Sequence, residues 1–169
     1  MKKILLLIAH GFGTGRIPVA PGTFGSMLGL GWFALLLWPG RLPIFALGTV
    51  VGILASVWIC GWAERQLRCK DPSSVVLDEI VAMPICFSGW LCNHIATHHA
   101  LPTAAQFFRE GTWLLTAGIF LLFRLFDIFK PWPIRQSQSL PGGWGVTVDD
   151  VLAALYTAVL GGILSRFFL

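Results

Sequence analysis

Apolar runs alternate with short polar or glycine-proline stretches along the whole chain. Residues 42–63 carry no charge over 22 positions, long enough to span a bilayer core of about 30 Å. The run 27–38 precedes them and ends at Pro39-Gly40, a turn signal. The two read as a hairpin whose first arm is short or tilted. Residues 1–9, an apolar stretch behind Lys2 and Lys3, predict a short helix lying at the interface. Residues 10–26 hold five glycines and two prolines and predict a loop, with a helix starting near Phe24. Asp71-Pro72 reads as an N-cap with proline at the first helical position. It predicts one helix running through Asp78 and Glu79 into 80–92, kinked at Pro84. Residues 93–110 are more polar. The run 111–129 is apolar except for Arg124 and Asp127 and stops at Lys130-Pro131-Trp132-Pro133. A polar linker, 134–139, leads to a glycine-rich turn. Thr147, with Asp150 three residues on, predicts the N-cap of a last helix through 151–169.

Composition places this all-α pattern in a membrane. Hydrophobic residues make up 56% of the 169, charged residues 12%, and mean hydropathy is +0.76; soluble domains carry roughly 25% charged residues. Eight tryptophans and thirteen phenylalanines suit a bilayer and its interface. Residues 1–169 read as a single domain. The apolar stretch 4–9 is too short for the core of a signal peptide. The net charge of +4 does not imply nucleic acid, because no basic run exceeds two residues. Cys60, Cys69, Cys86 and Cys92 show no CxxC spacing and read as small packing residues.

Taking 27–38, 42–63, 80–92, 111–123 and 151–169 as alternating crossings puts 1–26, 64–79 and 124–150 on one side. That side holds nine of the twelve basic residues, with Arg41, Arg109 and Arg166 opposite. The positive-inside rule makes it cytoplasmic. Seven of the eight acidic residues share it and only Glu110 is opposite. Acidic residues barely contribute to the topology rule, so their bias is a functional signal.

Four clusters carry candidate chemistry. Pro21-Gly22-Thr23-Phe24-Gly25-Ser26 offers helix-start amides and two hydroxyls to a phosphate, or is an ordinary capped helix entry. Asp78-Glu79 heads a charge-free run, as metal ligands, a polar network or a solvated helix start. Arg124, Asp127 and Lys130 stand at i,i+3 intervals on one face, as a salt-bridge ladder or as a carboxylate flanked by phosphate-holding cations. Asp149-Asp150 opens the last apolar run. The helix dipole explains one acidic residue there better than two, and paired carboxylates supply the hard oxygen ligands that Mg²⁺ prefers. His94 and His98, at i,i+4, fall in the far-side stretch, and His10 sits beside the glycine loop. No Cys-x5-Arg, Asp-x-Asp or Gly-x-Ser-x-Gly occurs, which leaves metal-assisted chemistry if the chain is an enzyme.

Pro21–Ser26, Asp71-Pro72 with Asp78-Glu79, 123–134, and Gly142-Gly143-Trp144-Gly145-Val146-Thr147-Val148-Asp149-Asp150, in that order, resemble the phosphatidylglycerophosphatase A family. Ala82 and Ala154 stand where that pattern often has glycine, and Thr147 where a bulky apolar residue is common. The resemblance implies a multihelical array with one central helix surrounded by others. It implies a Mg²⁺-dependent lipid phosphatase of the bacterial inner membrane, converting phosphatidylglycerophosphate to phosphatidylglycerol. On that reading Asp78, Glu79, Asp149 and Asp150 hold Mg²⁺, and Asp127 is a further ligand or the base. Arg124 and Lys130 hold the phosphate with Gly22, Thr23, Gly25 and Ser26, and the site faces the cytoplasm. The alternative is a cation-binding or cation-transporting protein using the same carboxylates; their clustering on one face disfavours transport.

Overall fold

The computed structural model describes residues 2–107 and 112–167. Arg109 and Glu110, expected on the far side, lie outside them. The described residues are helical with no strand: α1 (Lys2–Ala9), α2 (Pro21–Leu37), α3 (Leu42–Leu67), α4 (Leu77–Cys86), α5 (Ser88–His98), α6 (Ala104–Phe107), α7 (Thr112–Phe129), α8 (Ile134–Ser137) and α9 (Gly143–Ser165). A short 3₁₀ segment, Gly11–Arg16, joins α1 to α2. The all-α expectation holds. Among the described residues, four stretches are long and apolar enough to cross a membrane: α3, α4 with α5, α7 and α9. The 17-residue α2 is about 25 Å long at 1.5 Å per residue, just short of the core thickness.

Two inner elements share the centre. The α4–α5 rod packs against α2, α3, α7 and α9, and α9 in turn packs against α3, α5, α7 and α8. Phe33 stacks on Phe87 at 4.7 Å and meets Phe45 edge-on, with Met83, Ile119 and Phe123 closing the same core. A second cluster of Ala9, Ile59, Cys60, Ala63 and Val146 seals the α1–α3 end. Inside a bilayer apolar burial gives little drive, so close helix approach has to supply the packing. A Cβ on Gly143 would lie 1.9 Å from the Val57 carbonyl, and one on Gly89 1.9 Å from that of Ala158. Ala82 and Ala154 are fully buried in this packing.

Three helix starts differ from the sequence reading. The α2 helix begins at Pro21 rather than near Phe24, behind Ala20 in the left-handed region (φ 49°), because proline suits a first helical position. Asp71-Pro72 does not begin α4. Asp71 is left-handed (φ 47°), its N–H donates to Glu64 Oε1 at 2.9 Å, and Val75 N–H turns back to Pro72 O at 2.8 Å. The helix waits until Leu77, where Val76 N–H is tied to Ala9 O at 2.9 Å. Thr147 is not an N-cap: α9 starts four residues earlier, after Gly142 (φ 55°), and Thr147 is buried with its hydroxyl 3.0 Å from Ser56 Oγ. Partners inside the bundle let the helix begin ahead of its two aspartates. The helix expected to kink at Pro84 runs on past it and is interrupted at Phe87, between α4 and α5. Cys60 and Cys86 are buried, and Cys69 and Cys92 are exposed.

Replacing Gly89 or Gly143 by Val forces a side chain into neighbouring backbone and should lower stability by about 1–3 kcal/mol. Gly118→Ala meets nothing within 4 Å and should be neutral or gain up to about 1 kcal/mol of helix propensity. Thermal unfolding in detergent micelles checks the contrast.

Candidate active site

The starts of α2, α4 and α9 and the end of α7 converge at one end of the bundle. Asp78 and Glu79 lie in the first turn of α4, where the helix dipole favours acidic groups. Asp149 and Asp150 lie in the second turn of α9, and Arg124 and Asp127 in the last two turns of α7. Lys130 follows α7 with a left-handed backbone (φ 44°), which returns its ammonium toward the bundle.

The cations lace this set together. Arg124 Nη1 lies 2.8 Å from Asp127 Oδ2 and 3.9 Å from Glu79 Oε1, and donates to Ser26 Oγ at 3.3 Å. Lys130 Nζ donates to Asp149 Oδ2 at 2.5 Å and lies 3.7 Å from Asp127 Oδ1. Gln138 Nε2 donates to the same Asp149 oxygen at 3.0 Å. Burial alone would lower the Lys130 pKa, but the hydrogen bond and charge of Asp149 outweigh it and the pKa lies above its ordinary value.

Asp78, Glu79 and Asp150 form a trio that meets the ladder at Glu79. Each offers an oxygen within 4.8 Å of the other two. Asp78 Oδ1 and Glu79 Oε2 are buried with no hydrogen-bond partner, as is Asp149 Oδ1. Two cations cannot neutralise the five carboxylates gathered here if all are ionised. Orphaned carboxylate oxygens facing one another are costly, and they match the oxygen donors a hard divalent cation takes. The oxygen chemistry of the donor set therefore fits a hard divalent cation such as Mg²⁺.

All four carboxylates expected to hold metal are thus in one site, with different neighbours. The close trio contains Asp150, whereas Asp149 is engaged by Lys130 and Gln138. Arg124, Asp127 and Lys130 form one connected ladder. Gly22 borders the site: a Cβ there would stand 2.3 Å from Glu79 Oε1 and 3.0 Å from Arg124 Nη2. Gly25 instead packs on Val76, 2.7 Å from its Cβ position. Ser26 is buried, donating to Gly22 O at 2.8 Å and receiving Arg124. Thr23 is half-buried and its N–H is taken by Ala20 O at 2.9 Å.

The sequence reading missed Gln138, whose only signal was an amide in the linker before the glycine turn. It also missed Ser56, the buried partner of Thr147. His10 pins the loop, accepting from Arg16 Nε at 3.2 Å with Ser74 Oγ 3.4 Å from its other nitrogen. Burial, then the Arg16 charge, holds the His10 pKa below its ordinary value. His94 and His98 stack on each other at 4.2 Å on α5.

The chain is similar to known proteins over most of its length. The family model described as Phosphatidylglycerophosphatase A matches residues 7–165. The chain is 33% identical to the Escherichia coli Phosphatidylglycerophosphatase A over 154 residues, covering 90% of this chain and 78% of the relative. It is 36% identical to the Haemophilus influenzae protein of the same name, covering 95% and 91%. It is 37% identical, covering 92% and 89%, to a Bacteroides thetaiotaomicron protein provisionally named a phosphatidylinositol-3-phosphatase. No solved structure gives a significant match.

Lys130→Met leaves Asp149 without its ammonium. With Lys130 partly exposed, the loss of unfolding free energy should be about 2 kcal/mol. Adding Asp149→Asn should restore at least half of it in a double-mutant cycle. A single variant as stable as wild type would show that Lys130 does not neutralise Asp149.

Proposed function

The chain belongs to the phosphatidylglycerophosphatase A family, and on that premise we propose that it hydrolyses phosphatidylglycerophosphate to phosphatidylglycerol and phosphate. The observation that carries the reading is the Asp78–Glu79–Asp150 trio beside the Arg124–Asp127–Lys130 ladder. Three facing carboxylates can hold a cation, and two adjacent cations can hold a phosphate.

We assign Mg²⁺ to Asp78, Glu79 and Asp150, with the orphaned Asp149 Oδ1 as a further donor. Bound there, it would supply positive charge toward the phosphoryl oxygens. Arg124 and Lys130 exchange part of their carboxylate contacts for the substrate phosphate, a charge-assisted interaction on both sides. Gly22 lets Glu79 and Arg124 lie directly against the α2 backbone. Asp127, held between the two cations, orients a water and takes its proton. The water oxygen bonds to phosphorus as the glycerol ester P–O bond breaks in line. The leaving glycerol oxygen takes up a proton from solvent and Asp127 returns its proton to solvent, giving a diacyl lipid alcohol and inorganic phosphate. Ser26 holds Arg124, and Gln138 holds Asp149.

We assign this end of the bundle to the cytoplasmic side of a bacterial inner membrane, a reading that the bias of basic residues supports. Carboxylates at the helix starts, rather than at mid-span, support hydrolysis at the lipid headgroup over cation transport.

Purified protein should release phosphate from phosphatidylglycerophosphate faster than from phosphatidic acid or phosphatidylinositol 3-phosphate. Removing divalent cations with chelator should abolish release, and Mg²⁺ should restore it; full activity in excess chelator would overturn the metal assignment. Arg124→Met should lower kcat about 10²–10³-fold, the scale of one lost electrostatic contact in a transition state. Asp150→Asn should lose activity and Mn²⁺ binding by paramagnetic resonance together.

A further inference from the structure

One face of α3 meets both helices that carry the acidic trio. Ser56 and Cys60 stand four residues apart, so they share that face, and both are fully buried. Ser56 Oγ lies 3.0 Å from Thr147 Oγ1 of α9 and 3.4 Å from Cys60 Sγ. The Cys60 thiol lies in turn within hydrogen-bond range of the Asp78 main chain, in the first turn of α4. First-turn amides have no partner within their own helix, and sulfur is a weak acceptor for one. Thr147 stands three residues before Asp150, its neighbour on the surface of α9. We propose that Thr147, Ser56 and Cys60 are positioning residues of the trio. Their hydroxyl–hydroxyl–thiol chain fixes the rotation of α9 against α4, so that Asp150 rather than Asp149 meets Asp78 and Glu79. The proposal rests on the reading of the trio as a metal site.

Three observations carry it. A buried hydroxyl on a helix can turn back to the carbonyl four residues earlier. Ser26 and Thr157 do so, donating to Gly22 O at 2.8 Å and Ala153 O at 2.9 Å. Ser56 and Thr147 instead share a hydrogen bond with each other, across 91 positions of the chain.

The other contacts of α3 with α9 set their separation. A Cβ at Gly61 would lie 2.7 Å from Gly143 N, and one at Gly143 1.9 Å from Val57 O. Glycine packing determines how near the backbones come. A hydrogen bond, which weakens steeply as it bends, also determines the angle.

Rotation is what the trio needs. Adjacent residues on a helix point about 100° apart. Turning α9 would carry Asp150 away from Asp78 and Glu79, and Asp149 away from Lys130 and Gln138. Hydrogen bonds between membrane helices add little to stability, so loss of this chain shows in the metal site more than in unfolding.

Thr147→Val removes the hydroxyl and keeps the shape. It should weaken Mn²⁺ binding, followed by paramagnetic resonance, about tenfold, the low end of what lost support of metal ligands costs. Ser56→Ala and Cys60→Ala should weaken it in the same direction. Thr147→Ser, which keeps the hydroxyl, should bind as wild type does. Ser56→Ala with Thr147→Val should bind no more weakly than either alone, because both remove the same bond. In Thr147→Val the Mg²⁺ concentration for half-activation should rise while kcat at saturating Mg²⁺ stays near wild type. A variant that merely folds less well would lose kcat at every Mg²⁺ concentration. Wild-type Mn²⁺ affinity in both Thr147→Val and Ser56→Ala would overturn the proposal.

A second arm needs no metal. The coupling between Lys130→Met and Asp149→Asn in thermal unfolding should lose roughly half its size in the Thr147→Val background, because the rotation that places Asp150 also places Asp149. Undiminished coupling there sinks the proposal. If wild type bound no Mn²⁺ while that coupling fell, the metal reading would fail and the positioning of α9 would stand.

Discussion

Carboxylates brought together beside lipid must be neutralised, and the rest of the structure follows from how that is done. Two cations on one short stretch, Arg124 and Lys130, reach Glu79, Asp127 and Asp149. Asp78, Glu79 and Asp150 are left with oxygens close to one another, and Asp78 Oδ1 and Glu79 Oε2 have no partner. A site that is electrostatically incomplete in this way is prepared for a cation and an anion together. That is what a phosphomonoester and its metal bring.

Holding the acidic residues so close requires α4 and α9 to be locked in depth and rotation. Glycines do this, because in a bilayer close backbone approach replaces the hydrophobic drive. Gly143 abuts α3 at Val57, Gly89 abuts α9 at Ala158, and Gly29 abuts Met83 and Ile80 of α4. Gly22 has the same use at the site, letting Glu79 and Arg124 lie against the α2 backbone. The aromatic core around Phe33 and Phe87 sits deeper, holding α2 against the α4–α5 rod.

The apolar runs, the glycine turns and the acidic pairs were legible in the sequence because each is a local property. Arg124, Asp127 and Lys130 were legible as one face because i,i+3 spacing on a helix brings side chains together whatever surrounds it. Local signals failed where a partner from far along the chain overrode them. Thr147 has the chemistry of an N-cap, yet Ser56 takes its hydroxyl inside the bundle. Asp71-Pro72 has the form of a helix start, yet Glu64 holds it in a turn. Asp149 and Asp150 are equivalent as neighbours in sequence, but adjacent residues on a helix point about 100° apart. The sequence by itself determined that carboxylates and cations would meet at one end of a membrane bundle. Only the tertiary structure decided that Asp150 joins the trio while Asp149 takes Lys130, because that choice depends on how packing rotates α9 against α4.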